Sequence, residues 1–187
     1  MSQTLAMTNT QSPMSLVSQQ YSFQRKLENS DCQALAFIDP SVEDSSSLIA
    51  GLLPRTQAIL LDSQRDGIEQ ISEILKGYRQ LQAIHIISHG SPGCVYLGNS
   101  VLNRDTLSRY QDELQSWQTA LAADADILLY GCRVADVTSH ASFLEDLAAL
   151  TNANIAASTS ITGNAKQGGN WNLDVQIGKV ASPLAVT

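Results

Sequence analysis

The sequence predicts an α/β domain, doubly wound around a mostly parallel sheet. Three observations predict it. Short unbroken apolar runs recur along the chain, "ALAFID", "QAILLD", "QAIHIIS", "ADILLY" and "ANIAAST". Segments of helical period separate them. The 187 residues, 43% hydrophobic and 16% charged, suit one soluble, well-cored globular domain. Strands that stay apolar at every position, set between helices, point to a sheet covered on both faces.

Taken in order, residues 1–30 are rich in Ser, Gln and Thr, lack a sustained period, and read as a flexible leader to a domain spanning 31–187. "ALAFID" (34–39) reads as a first strand, and "SVEDSSSLIAGL" (41–52) offers an N-cap serine and a helical tail. "QAILLD" (57–62) is a second strand. In "DGIEQISEILKGY" (66–78), Ile68, Ile71, Ile74 and Leu75 share one helical face. "QAIHIIS" (82–88) is a third strand, and "CVYLGNSVLN" (94–103) a hairpin turning at "GNS". "RDTLSRYQDELQSWQTAL" (104–121) predicts an amphipathic helix, "ADILLY" (125–130) a fourth strand, "SFLEDLAALT" (142–151) a helix and "ANIAAST" (153–159) a fifth strand. "GGNWNLDVQIGKV" (168–180) alternates like an edge strand or C-terminal hairpin. No internal repeat is present.

Composition removes several function classes. The net charge is −7 and no basic stripe exists, which argues against nucleic acid as a partner. No apolar run approaches the ~20 residues of a membrane span. The N-terminus lacks a cationic start followed by an apolar core, so it is no signal peptide; the cytoplasm is the default compartment, and non-classical export the exception. Cys32, Cys94 and Cys132 are odd in number and lack zinc spacing, so neither a disulfide framework nor a metal is expected. Neither G-x-G-x-x-G nor a P-loop occurs, so no nucleotide or flavin cofactor is expected.

In open α/β sheets ligands collect at the carboxyl ends of the strands. Those ends here carry Asp39, Asp62, His89, Cys132 and Ser158. In a flavodoxin-like strand order of 2-1-3-4-5, the third and fourth strands are neighbours about 4.8 Å apart, and His89 and Cys132 emerge side by side. A cysteine thiolate is a good nucleophile, and a neighbouring histidine can generate it and then protonate a leaving amine. Gly90 N–H and Cys132 N–H are candidate oxyanion donors. Gly131 lets the chain turn sharply before the cysteine.

Asp39 and Ser158 are candidate substrate-contacting groups; Asp39 suits a basic side chain if it lines the pocket, or else caps the following helix. His85, ~13 Å along the strand from His89, reads as core or support, and His140 as a reserve base. Cys94 reads as a buried thiol or redox partner, Cys32 as incidental, Asp62 as the start of a turn, Trp117 as core or interface, and "GGNW" as a turn with a packed tryptophan. "HGSPG" also resembles the oxyanion loop of serine α/β-hydrolases. That fold needs a G-x-S-x-G elbow, which is absent, and a later histidine, for which only His140 is available.

An apolar block ending in His89-Gly90, followed by one ending in Gly131-Cys132, resembles the caspase-like cysteine peptidases. That clan includes caspases, gingipains, clostripain, separase and the self-cleaving domains of large bacterial toxins. The wider pattern "FIDPSVED…LLDSQRDGIEQI…IHIISHGSPG…LGNSVLN…ADILLYGCRVAD…FLEDLAALT…AAST…TG…GGNW" is similar to a narrower family, DUF4347. This domain is often found near the N-terminus of very large cyanobacterial and proteobacterial surface or adhesin-like proteins. The resemblance covers roughly residues 34 to 180. It implies a caspase-like fold and a cysteine endopeptidase cutting itself or a partner polypeptide through a Cys132–His89 dyad, with Gly90 at the oxyanion hole. The alternative it leaves is a non-catalytic pseudo-peptidase that binds a protein or ligand at the same cleft.

Overall fold

The apolar runs become strands whose order places His89 and Cys132. The computed structural model describes residues 32–136, 141–165 and 168–185. Along the chain the elements are β1 (Ala34–Ile38), α1 (Ser45–Ala50), β2 (Thr56–Leu60), α2 (Gly67–Leu75), β3 (Leu81–Ile87), β4 (Gly90–Ser91), β5 (Cys94–Leu97), β6 (Ser100–Asn103), α3 (Gln111–Ser116), β7 (Leu121–Tyr130), α4 (Ala141–Thr151), β8 (Asn154–Ala157) and β9 (Val175–Ile177). A six-stranded sheet runs β2-β1-β3-β7-β8-β9. Its first five strands are parallel, and β9 pairs antiparallel with β8. The protein is therefore α/β with a mostly parallel central sheet, and the order of its parallel strands is 2-1-3-4-5.

Right-handed crossovers decide where the helices go. Passing from β1 out to β2 puts α1 on one face. The later connections all move the other way across the sheet and put α2, α3 and α4 on the opposite face. The larger core lies there, where Ile68, Ile71, Leu114, Phe143 and Leu147 meet Leu35, Phe37, Ile84, Ile86, Ile127 and Leu129. The other face, with Ala36, Ile38, Ile87, Leu128 and Tyr130, is covered differently. Six-residue α1 contributes the half-buried Leu48, and the C-terminal segment contributes Trp171, Leu173, Val180, Leu184 and Ala185. The helical covering expected on both faces is thus lopsided.

Several elements are shorter than the periodicity predicts, and local side-chain bonds explain it. The helix expected over 104–121 is confined to α3 and a 3-10 turn at Trp117–Thr119. Asn103 and Thr106 exchange bonds, Asn103 N–H donating to Thr106 Oγ1 and Thr106 N–H to Asn103 Oδ1, both at 3.0 Å. These short polar groups favour tight turns over a continuous helix, and the chain turns through 104–110 before α3 begins. The released residues extend the next strand, so β7 starts at Leu121 with an irregular register opposite Leu81–Ala83.

The helix expected over 41–52 is likewise reduced to α1. Its N-cap is Asp44, which accepts from the Ser47 hydroxyl, rather than a serine. By contrast α2 follows its pattern. Asp66 caps it by accepting from Ile68 N–H and Glu69 N–H, as an N-cap carboxylate should. The expected hairpin is β5–β6, and it gains a third strand, β4, through the pairs Gly90–Val95 and Ser91–Cys94. Its turn is held by Gly98 at φ +58°, where a Cβ would stand 2.2 Å from the Arg65 carbonyl oxygen. Over 168–180 the described chain contributes one edge strand, β9.

Candidate functional site

The sheet register carries β3 and β7 level to their carboxyl ends, Ile87 opposite Tyr130. One bond continues beyond, from Ser88 N–H to the Tyr130 carbonyl at 3.2 Å. There the two chains touch through glycine. A Cβ on Gly90 would stand 3.0 Å from Gly131 Cα and 2.8 Å from Val134 Cγ2, and a Cβ on Gly131 would meet the same methyl at 2.8 Å. His89 precedes one of these glycines and Cys132 follows the other, so both residues leave the sheet from one rim.

His89 is exposed, yet held. Its Nε2 lies 3.2 Å from the Ser41 carbonyl. A carbonyl can only accept, so Nε2 carries the proton and a neutral ring keeps its free lone pair on Nδ1. The His89 carbonyl accepts from the Ser88 hydroxyl at 3.0 Å and from Tyr96 N–H at 3.1 Å, which pins the backbone beneath the ring.

Cys132 is half-buried, and its thiol donates to the Thr162 carbonyl at 3.6 Å. The segment after β8 is laid along the cysteine turn. Arg133 N–H donates to the Ser160 carbonyl at 2.8 Å, Ala135 N–H to the Ser158 carbonyl at 2.9 Å, and the Thr162 hydroxyl to the Gly131 carbonyl at 3.2 Å. Arg133 sits at φ +59°, in the left-handed region. It shares that conformation with Asp44, Arg55, Gln80, Asp124 and Asn152. The Arg133 guanidinium turns back to Asp136 at 3.0 Å.

Asp39 and Ser158 are placed close to this rim but engaged by the fold. Asp39 is 3% exposed. One carboxylate oxygen accepts from both the N–H and the hydroxyl of Ser41, and the other from Gly98 N–H at 2.7 Å. Ser158 is fully buried, its hydroxyl accepting from Ser160 N–H at 3.1 Å and meeting the Ser160 hydroxyl at 3.0 Å.

His85 is a core residue. Tyr130 accepts from Ala185 N–H at 2.8 Å, leaving its own proton for His85 Nδ1 at 3.4 Å. Burial depresses the His85 pKa to about 4, against a smaller upward pull from Asp126, because desolvation disfavours the imidazolium. Asp62 opens its turn by accepting from Gln64 N–H. Trp117 is core, its indole N–H donating to the Ser72 hydroxyl at 2.8 Å. Cys94 accepts weakly from the Asn103 amide, and the Cys32 thiol donates to the Ala34 carbonyl. His140 lies outside the described residues. Among the described residues no group of three or more His, Cys, Asp or Glu stands together to hold a metal, and no helix is long and apolar enough to cross a membrane.

Sequence reasoning missed Ser41 and Thr162. Both act through backbone carbonyls, which every residue type supplies, so side-chain identity gives no signal. The nearest hint was "DPS" at 39–41, a turn-forming run directly after a strand.

Residues 35–187 match the family described as Domain of unknown function (DUF4347). No curated protein matches the chain.

Proposed function

The chain belongs to the DUF4347 family, and we propose that it is a cysteine endopeptidase of caspase-like fold, cutting itself or a partner polypeptide. The observation that carries this reading is the contact of Gly90 with Gly131 at the ends of adjacent parallel strands. It sets an oriented histidine and a cysteine on one rim. His89, its Nε2–H held by the Ser41 carbonyl, takes the Cys132 proton through Nδ1. The thiolate attacks the scissile carbonyl, and the N–H groups of Gly90 and Cys132 receive the oxyanion. His89 then passes its proton to the leaving amine, and water releases the acyl group from sulfur. The 2-1-3-4-5 strand order supports the reading.

The test is cleavage of an unstructured polypeptide library, and of the chain itself, by the full-length protein. Cys132→Ala abolishes cleavage with no change in melting temperature, and His89→Ala lowers it by about 100-fold or more. Cleavage that survives Cys132→Ala overturns the proposal.

One contact favours a second reading, a binding module built on the same cleft. The Cys132 thiol is turned to the Thr162 carbonyl, which occupies it within the fold. A protein that binds a polypeptide at this rim, never cleaves it, and resists alkylation at Cys132 near neutral pH is that module.

A further inference from the structure

We propose that Asp39 is the positioning residue for His89, acting through the Ser41 carbonyl rather than on substrate. The inference rests on the dyad reading above and adds to it the group that selects the histidine tautomer.

His89 is exposed, and an exposed imidazole bonded to a free-moving carbonyl would sample both tautomers and several ring orientations. The Ser41 carbonyl is not free to move. Asp39, the first residue past β1, remains bonded to the sheet through its N–H, which donates to the Ile87 carbonyl at 2.9 Å. Its carboxylate then takes both Ser41 donors, the backbone N–H at 2.9 Å and the hydroxyl. Val42 N–H closes the same turn onto the Asp39 carbonyl at 3.1 Å. The peptide that ends in the Ser41 carbonyl is therefore held from both sides.

The second carboxylate oxygen ties this turn to the hairpin, through Gly98 N–H at 2.7 Å. Only glycine fits at position 98, since a Cβ there would overlap the Arg65 and Asp62 carbonyls. One buried carboxylate thus joins the end of β1, the turn that receives the His89 ring, and the β5–β6 turn. Tyr96 of that hairpin donates its N–H to the His89 carbonyl. Ring and backbone of His89 are held by two turns that Asp39 couples. A carboxylate accepts at both oxygens, which this arrangement uses, whereas a carboxamide must aim an NH2 group at one of the N–H donors.

The experiment is 15N–1H NMR of the histidine side chains in the full chain, recorded at mildly alkaline pH, for wild type, Asp39→Asn and Ser41→Ala. In wild type, His89 shows one tautomer, with Nε2 protonated and Nδ1 bare. Ser41→Ala keeps that signature, because the backbone N–H still bonds Asp39. Asp39→Asn moves both ring nitrogens towards averaged values, and iodoacetamide labelling of Cys132 slows at least about tenfold. Averaged nitrogens in wild type overturn the inference, as does an Asp39→Asn protein with an unchanged His89 signature. Should Asp39→Asn fail to fold, averaged ring nitrogens in wild type still overturn the inference. The two readings fail separately. Labelling that ignores His89→Ala removes the dyad while the tautomer result stands, and labelling that needs His89 beside an unaltered Asp39→Asn spectrum removes only the role of Asp39.

Discussion

Two glycines set how closely His89 and Cys132 can be brought together. Because a Cβ at Gly90 would press on Val134 Cγ2 and on the Gly131 backbone, Gly90→Ala must push β3 and β7 apart at their ends. The expected cost is about 1–3 kcal/mol in urea denaturation, with a larger proportional loss of Cys132 reactivity than of stability. His85 makes a second prediction. Its folded pKa of about 4 lies below the 6.5 of a free imidazole, so between these the unfolded chain binds the extra proton. The stability His85 contributes is complete above pH 6.5 and is lost as pH falls towards 4, by up to about 3 kcal/mol. His85→Leu flattens that part of the stability profile, as measured by chemical denaturation at each pH. At this scale the sequence announced His89 and Cys132 because each ends an apolar run beside a glycine. The bonds of the Asp39 carboxylate to Ser41 and Gly98 were not legible, because they form only once residues 39, 41 and 98 meet in space.

Elements with a single dominant signal were legible, and elements where signals compete were not. β1, β3 and α2 follow their patterns because burial and capping agree. The segment 104–121 has helical periodicity, but the Asn103–Thr106 exchange starts a turn first, and the tertiary demand for a longer β7 takes the rest. The C-terminal segment has no strong pattern beyond β9, yet it shares with α1 the cover of one face of the sheet. Its anchor is Asp126, buried on β7, whose carboxylate accepts from Asn154 Nδ2 at 2.9 Å, Ala181 N–H at 3.0 Å and Ser182 N–H at 2.7 Å. Asp126→Asn turns an NH2 group towards one of these donors. It should cost about 1–3 kcal/mol and open the chain after β9 to limited proteolysis, read by mass spectrometry of the first cuts. Uncut protein would show that apolar packing of Val180, Leu184 and Ala185 holds the segment without the carboxylate.

For the whole molecule, parallel pairing and right-handed crossovers carry the consequence that matters. Within that frame the strand order makes β3 and β7 neighbours, and neighbours are what turn two separated motifs into one rim. Alternating strands and helices foretell the parallel sheet, while its order, assumed flavodoxin-like from the sequence, is the one observed. The uneven covering of its two faces could not be read ahead, because an irregular C-terminal segment leaves no periodic trace. The central claim is that His89 activates Cys132. It is tested most directly by the rate of iodoacetamide labelling at each cysteine against pH, resolved by mass spectrometry, in wild type and His89→Ala. Cys132 is expected to label fastest of the cysteines at neutral pH and to lose that advantage in His89→Ala. A Cys132 that stays inert across the range, or reacts equally without His89, contradicts it.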